Sequence, residues 1–250
     1  MQVLKELFVD NRELIVKLAQ DEHACPPDGG QLHRRRQIDT QTQTQEQTQI
    51  ARIVELLVEH HDPRYIDFLM SICTCKGEPV VSMQRCVTER LIAHPEAAKL
   101  LPRIEISRDQ SGRKTLRMLL HGPHEPTQED NAHGYTIKEP WIDIGRFRRE
   151  ERDDDGKLRD WASKIMQHRF EELRDDEKKF RYFVRCSNLF GKVSLGRNQA
   201  SLRALLCNKH LGLTYETIRE VMGMETLPML VRSRFTTLMR ILFVDRWGIE

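Results

Sequence analysis

The sequence predicts a mostly all-α protein, an armadillo-like α-solenoid with a polar insertion and a small β element around 103–145. Apolar residues recur at helical spacing over most of the chain. Of the 250 residues, 39% are apolar and 31% charged, a balance typical of globular helical proteins. Only 6% are aromatic, and 13 glycines and 10 prolines are too few for the frequent turns of a sandwich or barrel.

The helical pattern is clearest from residue 50 to residue 101. An apolar side chain recurs at i, i+3, i+4, i+7 and i+8, which indicates a helix packed on one side. The positions are Ile50, Ile53, Val54, Leu57 and Val58. Asp62 and Pro63 then predict a new helix, with Asp as the N-cap and Pro at the first helical position.

This second helix is expected to end at Gly77, so that the Cys73-x-Cys75 pair would lie within the helical pattern. A third helix follows, and His94-Pro95 is expected to start a short fourth. The apolar positions of these helices are Tyr65, Phe68, Leu69, Ile72, Met83, Val87, Leu91, Ala98 and Leu101. Short helices with broad apolar faces and tight turns are typical of a solenoid, although no motif repeats strictly.

Two interruptions divide the chain. Residues 21–49 combine a Pro/Gly cluster with a Gln/Thr tract, which predicts a disordered surface insertion within the solenoid repeats of 1–101. Residues 102–156 are expected to form an irregular, partly β connecting segment. The solenoid is predicted to continue through 157–250.

Within the connecting segment, three short stretches are strand candidates: Ile104–Ile106, Leu116–Leu120 and Trp141–Ile144, with Ser111-Gly112 as a turn between the first two. The polar run 121–133 predicts a loop. The charge run 150–155 predicts a solvated segment.

Helices are expected to resume at about residue 157. Leu158, Trp161 and Ile165 would share one face, and Thr214 is expected to cap a later helix. Four further apolar faces follow at helical spacing. They consist of Phe180, Phe183, Val184 and Phe190; of Leu202, Leu205 and Leu206; of Tyr215, Ile218 and Met222; and of Leu230, Val231, Phe235, Leu238, Ile241 and Leu242.

Charge and hydropathy limit the kinds of partner. The formal net charge is +2, so nothing favours nucleic acid, and no apolar run approaches the ~20 residues of a membrane-spanning helix. The short basic run Arg34–Arg36 is expected to be a solvated loop. Six scattered cysteines fit a reducing compartment rather than a disulfide framework. They are Cys25, Cys73, Cys75, Cys86, Cys186 and Cys207.

No motif predicts catalysis, a cofactor or a metal, so no site residues are assigned and no enzyme is expected. His121, His124 and His133 lie in a polar stretch that lacks the tight ligand pairs of a zinc site. The Cys73-x-Cys75 spacing is not that of redox or zinc motifs, which favours buried structural thiols. Residues 191–196 lack the Gly-Lys-Ser/Thr ending of a phosphate loop, which favours a helix–helix turn.

Residues 62–80 resemble the homology domain shared by ryanodine and inositol trisphosphate receptors, which reads PRFLD-L--LC---G--I at this point. The matching residues are Arg64, Phe68, Leu69, Cys73 and Gly77. Residues 182–199 are similar to the NLFA-MCLDRQ segment of inositol trisphosphate receptors, and this stretch favours that branch. Similarity runs in order from about residue 5 to 246, with departures at 21–49 and 103–156.

The resemblance implies part of a tetrameric calcium-release channel on the cytoplasmic face of the endoplasmic reticulum membrane. Its partners would be the channel's other domains and neighbouring subunits. The family's ligand lies upstream, next to a β-trefoil, so the resemblance places no ligand contact here and no pore helix either. The chain is expected to be a fragment or truncated paralogue that couples ligand binding to the pore.

A second interpretation stays open at this point. Solenoids present concave surfaces to protein partners, so the chain could instead be a stand-alone armadillo-like binding module. The basic segment 146–152 is a candidate docking patch for such a partner.

Overall fold

A computed structural model gives the fold of six stretches of the chain. The described residues are 48–94, 100–108, 112–120, 141–148, 150–152 and 158–245. Helices account for 67% of them, and the rest includes a few small antiparallel sheets but no closed barrel. The predicted mostly helical class is therefore confirmed, whereas the solenoid arrangement stays a prediction. None of the described helices combines the length and apolar character needed to cross a membrane.

Eight α-helices follow one another in the described part of the chain. They are α1 (48–60), α2 (Pro63–Ile72), α3 (Val81–Val87), α4 (Trp161–Gln167), α5 (Asp175–Val193), α6 (Gln199–Cys207), α7 (Tyr215–Gly223) and α8 (Met229–Met239). The π-helical turns Thr88–Ile92 and Arg240–Val244 extend α3 and α8.

Seven short strands form three antiparallel sheets. They are β1 (Thr74–Cys75), β2 (Glu78–Pro79), β3 (Arg103–Arg108), β4 (Lys114–Leu119), β5 (Ile142–Asp143), β6 (Glu150–Arg152) and β7 (Leu158–Asp160). The sheet orders are β1-β2, β3-β4-β5 and β6-β7.

Helix α2 begins where the sequence predicts. The Asp62 carboxylate accepts a 2.9 Å hydrogen bond from the backbone N–H of Arg64, and Pro63 occupies the first turn. A capped N-terminus of this kind stabilises a helix by about 1 kcal/mol. The Arg64 guanidinium also pairs with Asp62, which fixes the capping carboxylate in place.

The end of α2 corrects the predicted position of the cysteine pair. The helix ends at Ile72, and Cys75 lies in a hairpin strand rather than on the helix. Lys76 and Gly77 both have positive φ, 50° and 92°, and form the two-residue turn between β1 and β2. The backbone twist of such a turn matches the twist of paired strands, which favours a hairpin at this position. The sequence prediction used Gly77 only as the end of a helix and did not include a hairpin.

The central sheet confirms the predicted strands. Strands β3 and β4 pair from Arg103 opposite Leu119 to Arg108 opposite Lys114, and Gly112 has a positive φ of 78° in their turn. Strand β5 pairs with β4 through Ile142. The side chains that alternate onto the inner face are buried. They are Ile104, Leu116, Met118 and Ile142.

The start of the C-terminal helices differs from the prediction. Leu158 lies in β7, which pairs with β6 at Glu150–Arg152, and α4 begins only at Trp161. The predicted helical position of Leu158 is therefore wrong, whereas the solvation of the charge run from 150 stays a prediction. Asp155-Gly156, a strong hairpin signal, stands between the two strands in the sequence, whereas the helix prediction rests on apolar spacing alone.

The long helix α5 carries the predicted aromatic face into the core. Phe180, Phe183 and Phe190 are all buried, as is Val184. The Phe180 ring stacks on Phe147 with ring centroids 4.3 Å apart. One contiguous apolar core joins side chains of α1–α3, the central sheet and α5–α8.

Most other predicted apolar positions in the described residues are buried or half-buried, and two are exposed. Val58 is 45% exposed at the end of α1, and Tyr215 is 47% exposed, although its ring meets Phe243 edge-on at 5.5 Å. Thr214 caps α7 as predicted, accepting a hydrogen bond from the Thr217 N–H. The predictions for residues 1–47, for the start of the fourth helix at 95–99 and for the loop at 121–133 lie outside the described residues.

The burial of Cys73 generates a test of the fold. Burial, with Cys86 nearby, raises the pKa of the Cys73 thiol to about 12, whereas Cys207 is exposed. At pH 8 the Cys73 thiolate fraction is then on the order of 10⁻⁴. We expect iodoacetamide to label Cys207 at least ~100-fold faster than Cys73, measured by peptide mass spectrometry.

Denaturant supplies the control for this labelling experiment. In the unfolded chain both thiols should react at similar rates, because both have the ordinary pKa of about 8.5. Comparable labelling of Cys73 and Cys207 in the native chain would contradict the buried position of Cys73.

Candidate coupling interface

A buried polar contact joins the N-terminal helices to the C-terminal ones. The side chain of Gln84, on α3, is fully buried. Its amide nitrogen donates to the backbone carbonyls of Lys192, at 2.9 Å, and Leu195, at 3.1 Å. Its amide oxygen accepts a 3.1 Å hydrogen bond from Asn198. One side chain thus makes three hydrogen bonds to a segment more than 100 residues away.

The positions of these partners explain why Gln84 is where it is. Lys192 lies in the last turn of α5, where helix carbonyls lack partners within the helix, and Leu195 lies in the 3₁₀ turn that follows. Asn198 is the N-cap of α6, and its side-chain Oδ1 accepts from the Ser201 N–H. Gln84 therefore links the end of one helix to the start of the next.

A second buried pair extends the same contact. The Thr88 hydroxyl donates to the Gln84 carbonyl at 2.7 Å and lies 2.6 Å from the Ser201 hydroxyl. A hydroxyl has a single proton, so Ser201 must be the donor in the second contact. We call these six residues the Gln84 seam: Gln84, Thr88, Lys192, Leu195, Asn198 and Ser201.

Backbone carbonyls at the end of α3 are also bound by the C-terminal part. The Asn208 amide donates to the Ile92 carbonyl at 3.1 Å, and His210 Nε2 contacts the Leu101 carbonyl at 3.1 Å. The loop after α6 therefore holds the chain both before and after residues 95–99, which extends the attachment beyond the Gln84 seam.

A close backbone approach completes the interface. Gly196, between α5 and α6, has φ +70°, and a Cβ added there would lie 2.5 Å from Cγ of Pro79 in the β1-β2 hairpin. Glycine is required both by this left-handed conformation and by the space. The hairpin thus lies directly against the turn that the Gln84 seam holds.

Charged groups border the contact between α2 and α5. Asp67 Oδ1 lies 3.2 Å from Arg185 Nη1. Burial raises the pKa of the Asp67 carboxyl, and the cations of Arg185 and Arg181 oppose that shift. Burial and the neighbouring Arg185 also lower the pKa of Arg181. Two arginines therefore share one carboxylate at this edge of the interface.

The candidate sites considered in the sequence fall in different places. Residues 191–196 form the end of α5 and a short 3₁₀ turn, as the helix–helix interpretation predicts. His121, His124 and His133 lie outside the described residues. Within the described stretches, no group of three or more His, Cys, Asp or Glu side chains is placed to hold a metal ion.

The basic segment 146–152 is partly engaged within the fold. Arg146 pairs with Asp176 on α5, and Arg148 donates to the Glu225 carbonyl after α7. These two arginines hold the connecting segment against the C-terminal helices. They are therefore less suited to docking an external partner than their sequence suggests.

Residues 1–101 match a family model described as the RIH domain. The match confirms the predicted resemblance over this stretch, and the RIH domain indicates the family of ryanodine and inositol trisphosphate receptors, with its calcium-channel context. No curated protein matches the chain. The Gln84 seam therefore joins the residues that match the RIH model to helices beyond them.

Replacing Gln84 tests the seam directly. Gln84→Leu keeps the side-chain volume, but it removes the amide nitrogen that donates to the Lys192 and Leu195 carbonyls. It also removes the amide oxygen that accepts from Asn198. We expect a loss of about 2–4 kcal/mol in the free energy of unfolding, because buried polar groups are left unpaired. Urea unfolding followed by circular dichroism measures it.

Gln199→Leu is the matched control, since Gln199 is exposed at the start of α6. Its effect should stay within about 0.5 kcal/mol. Equal stability of both variants would show that the Gln84 hydrogen bonds do not hold the two parts together.

The Gly196 contact gives a second test of the interface. Gly196→Ala combines a left-handed backbone with a clash against Pro79, so we expect it to cost about 2–3 kcal/mol of stability. Gly223→Ala is the control, because a Cβ there meets nothing within 4 Å. Adding Pro79→Ala to Gly196→Ala should recover part of the loss. Additive effects in this double-mutant cycle would contradict the contact.

Proposed function

We propose that this chain is a cytoplasmic coupling segment of an inositol trisphosphate-gated calcium-release channel of the endoplasmic reticulum. In this proposal it transmits ligand-induced movement toward the pore and neither binds the ligand nor conducts ions. Its partners are the other domains and neighbouring subunits of the tetramer. The proposed role is mechanical rather than enzymatic, in keeping with an RIH domain, which belongs to a channel receptor family and not to an enzyme family.

The Gln84 seam is the observation that carries the proposal. A segment that transmits movement must not absorb it by internal sliding. The three hydrogen bonds of Gln84, together with the Gly196–Pro79 contact, fix the residues that match the RIH model against α5 and α6. Close-packed interiors deform little, so a displacement applied to α3 reaches the C-terminal helices as a rigid-body movement.

The assignment to the inositol trisphosphate branch has separate support. Residues 182–199 resemble a segment of those receptors, and they form the C-terminal part of α5, the 3₁₀ turn after it and the start of α6. Asn198, which bonds to Gln84, lies in this stretch. The resemblance and the seam therefore meet at the same turn.

A chimeric channel tests the coupling role. The equivalent segment of an inositol trisphosphate receptor is exchanged for this chain, with and without Gln84→Leu, and ligand binding and calcium release are measured separately in microsomes. Compared with the unmodified chimera, the Gln84→Leu chimera should change its ligand affinity less than twofold. The ligand concentration for half-maximal calcium release should rise at least ~5-fold, because typical allosteric coupling energies are 1–3 kcal/mol.

Gln199→Leu in the same chimera is the control and should leave release unchanged. Normal opening of the Gln84→Leu chimera would refute the coupling role, as would an unmodified chimera that binds ligand without releasing calcium. Loss of ligand binding in Gln84→Leu would place its effect upstream of coupling and would also count against the proposal.

The second candidate is a stand-alone armadillo-like protein-binding module. It is favoured by a groove beside β3 that lies apart from the Gln84 seam. The size and composition of the complex that the native chain forms distinguish the coupling role from the binding module. Copurification with channel subunits supports coupling, and a soluble complex free of channel subunits supports the binding module.

A further inference from the structure

Strand β3 has one paired edge and one open edge. It lies at the end of the β3-β4-β5 sheet, so β4 covers only one side. Ile104 N–H points away from β4, because it donates to the Leu211 carbonyl at 3.4 Å. In an antiparallel pair such outward groups alternate along the strand. The N–H and C=O of Ile106 therefore also point outward.

Among the described residues, the chain covers this edge at Ile104 but not at Ile106. Gly212, with φ +67°, packs so closely that an added Cβ would lie 2.4 Å from the Ile104 carbonyl oxygen. Within the described part of the chain, no group bonds to the backbone of Ile106 on the outward side. The edge is thus closed at one end and opens two residues further on.

A groove of about 470 Å³ borders the open part of the edge. Strand β3 forms one wall through Ile106 and Arg108, and the first turns of α7 form the other through Thr214, Thr217 and Glu220. The walls combine apolar surface, including that of Ile104 and Ile106, with polar and charged side chains. The outward backbone groups of Ile106 border this space, so it suits an extended peptide, which offers both backbone hydrogen bonds and side chains.

The charges of the groove favour a basic side chain. Lys114 is paired with Glu220 at 2.8 Å, and Lys114 lowers the pKa of that carboxyl. Glu216, one turn earlier on α7, is exposed and forms no ion pair with another described residue. Glu105, also at the groove, is paired with Arg117 at 3.8 Å. Among the described residues, Glu216 is therefore the groove carboxylate that is left to pair with a basic side chain of a partner.

We propose that the open edge of β3 binds an extended segment of a partner protein by strand addition, with a basic side chain of that segment placed beside Glu216. Main-chain bonds to Ile106 supply affinity, and the alternation of side chains along the added strand supplies selectivity. This surface is separate from the Gln84 seam, so it operates whether or not the coupling role holds.

Binding of a defined peptide tests the proposal. The probe is the capped heptapeptide Val-Lys-Val-Lys-Val-Lys-Val, titrated against the full chain by NMR. We expect saturable binding below about 1 mM, with shifts at Ile106 and Glu216. In the free chain the Ile106 amide should exchange rapidly with solvent. Its N–H should become protected when the peptide is bound.

Changes to the protein at Ile106 or Glu216, or to the amides of the peptide, should each weaken binding at least tenfold. Ile106→Pro removes the outward N–H but no β3-β4 hydrogen bond, and edge strands tolerate proline there. Glu216→Lys reverses the charge, with Glu78→Lys, exposed outside the groove, as its control. N-methylating alternate amides of the peptide removes its donors without changing the protein, so the test stands even if Ile106→Pro fails to fold.

Three results would overturn the proposal. One is an Ile106 amide already protected in the free chain. Another is equal binding of the N-methylated peptide or of the Glu216→Lys variant. The third is the absence of saturable binding by the probe peptide. Pairing of β3 with a second copy of this chain, in place of the peptide, counts as this third result.

Discussion

The buried amide of Gln84 sets the constraint on which the arrangement of the two helical parts depends. An amide without partners in an apolar core costs several kcal/mol, so its donors and acceptor must all be met. That requirement determines where α5 ends and where α6 begins, since the carbonyls of Lys192 and Leu195 and the amide of Asn198 surround it. Apolar contacts alone would tolerate sliding between the parts, whereas three directed bonds do not.

Different interactions serve the inside and the edge of this interface. Its interior uses neutral hydrogen bonds, which hold geometry without the cost of desolvating charges. Its edge uses the Asp67–Arg185 ion pair, where burial already raises the pKa of the carboxyl. A surface ion pair contributes about 0–1 kcal/mol and is screened by salt. We therefore expect the proposed transmission of movement to depend on the amide and on the glycine contact, and to depend little on ionic strength.

Periodicity and capping made most helices predictable, because an apolar stripe and an Asp62-Pro63 pair act locally. The structural role of Gln84 was not predictable in this way. It is one polar residue in a helical stripe, and only its burial against residues beyond position 190 distinguishes it from a solvated glutamine. Strand β7 was missed for the opposite reason. Leu158 has helical spacing to Trp161, but pairing with β6 determined its backbone.

An open strand edge such as that of β3 can pair with other chains and cause aggregation. Natural sheets protect exposed edges with charged side chains. Arg103, Glu105 and Arg108 provide this along β3, with Gly212 covering the end at Ile104. This protection is selective rather than complete. It disfavours pairing with an apolar strand or with a strand of like charge, whereas a strand that carries complementary charges can still pair. A short, charged and partly covered edge therefore disfavours uncontrolled pairing and remains compatible with the proposed binding of one class of extended segment.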